Sequence, residues 1–275
     1  MTKFFLLISS LVLPFLTLGQ SILNPQFGIG WGYPYHNSND SEKLKLIHKI
    51  QKQNKLNSSF FPTVQNASSL QYFHVTNIDN DELLDVIYAG PYGEGNASII
   101  YKNNGNSFTA SGLIPGKIVG ARKSELSGIL EIKTHEYPCC ASNEHYLRTI
   151  IPFAIGDSTR IMQIEEYVYL EDTKEPVNKM KKVSFATVNE EYKLRLSPYI
   201  DSDHRFHPET IDGNTISIYP KGSRGIAIAK ESDETGRIWW FVIMENNLEP
   251  IKTIMHNGEN SKSMGWMSSR YVETF

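Results

Sequence analysis

Four oxygen-bearing side chains, Asn77, Asp79, Asp81 and Asp85, crowd the stretch NIDNDELLDVIYAGP. A calcium ion takes about six to eight oxygens, and closely spaced Asp and Asn on a tight turn supply them. Three carboxylates and one amide at this spacing make a candidate Ca2+ site, in the weak range of extracellular sites. The rival reading is an Asx turn, with Asp79 and Asp81 accepting backbone N–H bonds. An EF-hand is excluded. Glu82 stands where its sharp turn needs Gly, Tyr88 stands where its bidentate Glu belongs, and strand-like residues follow Asp85.

A second cluster, HEYPCCASNEH, holds His135, Cys139, Cys140 and His145. Two imidazoles and two thiols suit zinc or copper. Adjacent cysteines diverge on an extended chain, however, and structural zinc sites separate their sulfurs by about two to four residues. The pair could equally be buried thiols, a vicinal disulfide, a link to another molecule, or a nucleophile beside His135 or His145. No staple between distant elements is available within one chain, because these are its only cysteines. His204 and His207 are two further imidazoles in a polar stretch. The chain contains no G-x-S-x-G, H-E-x-x-H or P-loop.

The 275 residues carry a formal net charge of −3, so nucleic acid is not an expected partner. Lys3, the apolar run Phe4–Leu18 and small residues Thr17 and Gly19 describe a secretory signal peptide over 1–19, with Gln20 opening the mature chain. The run is shorter than the roughly 20 residues of a membrane span. An exported protein, periplasmic or extracellular, with no membrane span is the expectation.

SEKLKLIHKIQKQNK, residues 41–55, predicts a helix with Leu46, Ile47 and Ile50 on one face. From Leu70 onward, runs such as LLDVIYAG, ILEIKTHEY, RIMQIEEYVYL and IWWFVIM have strand length and β-branched or aromatic content. NNGN at 103–106 predicts a hairpin turn, and polar DTKEPVNKMK at 172–181 a linker. No βαβ alternation occurs, so the chain reads as mainly β.

The acidic loop, the trailing LLDVIYAGP and the downstream ASIIYKNNGNSF together resemble an FG-GAP or VCBS-type repeat over about Tyr72–Phe108. The resemblance implies one propeller-blade-like unit with a calcium loop inside an N-terminal β-rich domain, 20–186. Asn77 and Glu82 depart from that pattern. In the remainder, YKLRLSP, ISIYPKGSRGIAIAK, GRIWWFVIM and GWMSSRYV follow in the order of a bacterial SH3 (SH3b) domain. That likeness implies a small SH3-like barrel over 187–275, lengthened by inserts at 199–213 and before the closing motif.

Strand alternation sets Trp240 and Val242 on one face and Trp239 and Phe241 on the other. A small barrel has one interior, so the second pair must meet something else. With Tyr192, Trp239 and Phe241 form the candidate ligand-binding set for a peptide or glycan. The alternative is that the pair packs against the N-terminal region or the long insert. Trp266 and Tyr271 read as core.

Two functions follow. One is a non-enzymatic binding protein of the cell envelope or extracellular space, whose partner is a peptide, glycan or cell-wall component. The other is a cell-wall hydrolase-type enzyme using the Cys139/Cys140 region with a nearby His, since SH3b domains often accompany such enzymes.

Overall fold

The structure, a computed structural model, describes residues 40–53, 67–79, 81–93, 95–123, 130–137, 143–155, 158–202, 210–256 and 260–275. The expected signal peptide, Cys139, Cys140, His204 and His207 lie outside the described residues. The protein is mainly β, with one α-helix among the described residues. That helix, α1 (Asp40–Gln53), has Asp40 and Glu42 in its first turn and Lys52 in its last, which complements its dipole. Ile47 and Ile50, one turn apart, are fully buried.

Strands β1 (Phe73–Thr76), β2 (Asp85–Tyr92), β3 (Gly95–Asn103) and β4 (Phe108–Pro115) form a four-stranded antiparallel meander in chain order. Its residues alternate between two cores, as the strand period requires. Val86, Tyr88, Ile99 and Tyr101 pack with Ile47 and Ile50 of α1. Ile87, Ala89 and Ile100 instead meet Ile118, Leu130, Ile132 and Ile150 of a second meander. That meander is β5 (Lys117–Lys123), β6 (Leu130–Glu136), β7 (Glu144–Ile155) and β8 (Ser158–Leu170), again antiparallel neighbours in chain order.

The remaining strands are β9 (Lys179–Thr187), β10 (Tyr192–Arg195), β11 (Thr215–Tyr219), β12 (Arg224–Ser232), β13 (Ile238–Met244), β14 (Lys252–Thr253), β15 (Ser261–Ser268) and β16 (Val272–Thr274). A short 3-10 helix, Ser269–Tyr271, precedes β16. The order β16-β9-β12-β13-β15 continues through β15 into β8, giving one sheet that runs on to β5. The β15–β8 pairing is parallel, Ser261 opposite Glu166 and Ser263 opposite Val168.

This pairing corrects one expectation. The sheets do not close into a barrel, so 187–275 is not a closed SH3-like barrel. The edge of β15 is divided between β8 and β10, the latter through Arg195 opposite Trp266, and the sheet runs on into the second meander. The segment expected as a linker is tied in as well. Lys174 N–H donates to the Leu196 carbonyl at 2.8 Å, and Trp266 Nε1 donates to the Lys174 carbonyl at 2.8 Å. Strand β9 spans position 187, and its partners are β12 and β16.

Candidate functional site

Trp239 and Phe241 do not line an open face. They are 1% and 0% exposed and pack with Tyr169, Met264 and Trp266, with Leu147 and Tyr167 against the cluster. Tyr169, Tyr167 and Leu147 come from β8 and β7, so the N-terminal region covers this face. Trp239 and Phe241 are thus not an open ligand platform, and the alternative of packing against the N-terminal region holds: the second aromatic face of β13 is the seam between two parts of one sheet. Val242 and the half-buried Trp240 face the other core, with Phe185, Leu194 and Met267. Trp266 is core, as read from sequence. Tyr271 is 45% exposed and is not.

An open site lies at the edge of this seam. A groove of about 210 Å³ is lined by Tyr192, Arg195, Ile200, Arg237, Tyr271 and the rim of Trp239, among others. A wider hollow of about 590 Å³, lined by Tyr199, Ile200, Thr235 and Arg237, shares two of those residues. Tyr192 is mostly buried and donates its hydroxyl to the Ser268 carbonyl; its ring meets Tyr271 edge-on at 6.4 Å. Of the candidate set, Tyr192 and the rim of Trp239 line this groove.

Local hydrogen bonding shapes the walls. At the β12–β13 turn, Asp233 Oδ1 accepts from Thr235 N–H at 2.9 Å and Arg237 N–H at 3.1 Å, while Oδ2 accepts from Trp239 Nε1 at 2.9 Å. The Thr235 and Trp239 side-chain bonds hold this carboxyl down to about 2. Behind Arg195, buried Asn214 donates to Ser197 Oγ at 2.8 Å and to the Tyr199 carbonyl at 3.0 Å, and accepts from Arg195 Nη1 at 2.7 Å. Gly213 makes that approach possible: at φ +53, a Cβ would sit 1.6 Å from the Asp201 carbonyl oxygen.

No protein-family model, curated protein or solved structure matches this chain. Its function is therefore argued from the geometry.

The acidic loop divides its carboxylates between two tasks. Asp85 is fully buried; its Oδ2 accepts from Ile78 N–H and its Oδ1 from Asn103 N–H, both at 2.8 Å. Asp81 Oδ1 accepts from Leu83 N–H at 2.9 Å, an Asx turn. Lys102 of β3 bonds Asp79 and reaches Asp81 at 3.3 Å. Burial pulls the Lys102 ammonium down, but the bonds and charges of both aspartates hold it above its ordinary value. Half-buried Asn77 follows β1 directly. Glu82 takes φ +68, a left-handed conformation that Gly alone adopts without strain.

Among the described residues, no cluster of three or more His, Cys, Asp or Glu is placed to hold a metal. Calcium at about 1 mM is expected to leave the thermal midpoint unchanged, because the ion must displace a bonded ammonium. A rise that disappears in Asp81→Ala would establish an ion site instead.

His135 and His145 are brought together. Their Nε2 and Nδ1 atoms lie 3.0 Å apart, Tyr169 stacks on His145 at 4.8 Å, and the Tyr169 hydroxyl reaches His135 at 3.2 Å. Burial, then the neighbouring His145, pushes His135 down to about 4, and burial also lowers His145. Both rings are thus neutral at pH 7, whereas a general base works best with a pKa near the operating pH.

Proposed function

We propose that this is an exported binding protein of the cell envelope or extracellular space, which holds a peptide or glycan in the groove lined by Tyr192, Arg237 and Tyr271 and the hollow beside it lined by Tyr199. The observation that carries this reading is the groove itself. The exposed Tyr271 ring, the rim of Tyr192, half-buried Arg237 and Lys193 and buried Arg195 converge there, the mix of apolar lining and a few polar groups that small-ligand sites use. The order of the four SH3b-like motifs along paired strands supports a likeness to that module in motif order, though not in a closed barrel. The meander β1–β4, Phe73–Pro115, likewise supports the blade-like reading of 72–108, which takes in β1–β3 and reaches the start of β4.

Co-sedimentation with purified peptidoglycan tests the proposal. Wild type is expected to sediment, and Tyr271→Ala to lose about fivefold or more in affinity while its unfolding midpoint holds, since an exposed ring contributes to contact more than to core. Undiminished binding by the variant, or no sedimentation of wild type, contradicts the proposal. Clearing of the peptidoglycan that vanishes in Cys139→Ala would point to the hydrolase instead.

A further inference from the structure

Two arginines face the same small groove with no carboxylate bonded to either guanidinium among the described residues. Arg195 is only 6% exposed, and its Nη1 donates to neutral acceptors, Asn214 Oδ1 at 2.7 Å and Thr215 Oγ1 at 3.1 Å. Arg237 has its guanidinium carbon 5.8 Å from the centre of the Trp239 ring, and its Nε is buried without a hydrogen-bond partner. Charged groups taken from water are ordinarily paired. Lys193 also lines the groove but is held by Asp212 at 2.7 Å. Among the described residues that line it, Glu191 is the one carboxylate. Burial holds the Arg195 guanidinium below its ordinary value, with the neighbouring Arg237 adding to the fall and Asp212 and Asp201 offsetting part of it.

We infer that the ligand is a peptide presenting a free carboxylate, bound by Arg237 and Arg195 with its adjoining apolar side chain against Tyr192 and Tyr271. This rests on the groove being the binding face. Guanidinium groups match a carboxylate fork to fork, and such charge-assisted bonds are about twice as strong as neutral ones. The volume is smaller than the roughly 300–1,000 Å³ of pockets for drug-sized ligands, so it takes a residue-sized group. Tyr192 and Tyr271 stand nearly perpendicular, at 89°, and make a corner for a side chain where a sugar ring would want a flat stacking platform.

The test is an NMR titration of the full mature chain with N-acetyl-phenylalanine, its C-terminal amide and glucuronic acid. The free acid should give saturable shifts at Ser268, Tyr271 and Arg237 Nε–H, with the amide about tenfold weaker or more, the size of a charge-assisted bond. Arg237→Gln should bring acid and amide to parity while leaving the fold intact. Equal binding of acid and amide, no saturable shift with the acid, or tighter binding of glucuronic acid would each overturn the inference. The groove reading fails separately, through the peptidoglycan assay. Wall binding lost in Tyr271→Ala alongside equal acid and amide affinities would retain the groove and remove the carboxylate.

Discussion

Asp85→Ala is expected to lower the unfolding free energy by about 2–5 kcal/mol, because two buried backbone donors, Ile78 N–H and Asn103 N–H, lose their acceptor together. Asp81→Ala should cost about 1 kcal/mol or less, since its bonds lie in partly exposed surroundings. Denaturant unfolding of the two variants checks the contrast. Comparable small losses would mean that Asp85 does not brace the β1–β2 and β3–β4 connections.

The same carboxyl gives a pH signature. Burial pushes Asp85 up to about 7 from 3.8, against the pull of Asn103 and Ile78 N–H, with Asp79 and Asp81 adding to the rise. Its folded pKa is the higher one, so its contribution is full at low pH and is lost as the pH rises through about 7. His74 and His135, brought to about 4 from 6.5, act in the opposite sense. The unfolded chain takes up their protons first, so stability falls as the pH drops from 6.5 toward 4. With Asp85 removed, the histidine slope stands uncompensated. Stability of the variant should climb from about pH 5 to 7 more steeply than that of wild type.

Trp239→Ala should cost about 3–5 kcal/mol, the range for deleting a large buried aromatic side chain. The ring fills the seam between β13 and the β7–β8 hairpin, and its Nε1 anchors the turn through Asp233. Because Tyr169 belongs to the same cluster, both parts of the sheet should lose stability in one transition. A variant that unfolds like wild type but no longer binds would return Trp239 to the role of an exposed ligand platform.

Much of the β architecture was legible because its signals are local. The alternation of Val86 and Tyr88 against Ile87 and Ala89 names two faces, and NNGN does form the β3–β4 turn, with Asn104 N–H donating to the Ser107 carbonyl at 2.8 Å. The helix expected at 41–55 forms as Asp40–Gln53. What covers the second face of β13 was not legible, because Tyr169 and Leu147 come from strands more than 60 residues earlier. The open sheet was hidden for the same reason: a parallel β8–β15 contact leaves no turn signal. Lys102 lies outside the spacing of the acidic loop it neutralises. Arg195 and Arg237 are 42 positions apart, on separate strand ends, and only folding brings them to one groove.

Amide chemical-shift mapping of the isotope-labelled protein with soluble peptidoglycan fragments tests the central claim most directly. Perturbations should concentrate at Tyr192, Tyr199, Ile200, Arg237, Ser268 and Tyr271, leaving the β1–β2 loop and the His135–His145 pair unmoved. Shifts centred on that histidine pair, or absent altogether, would contradict it.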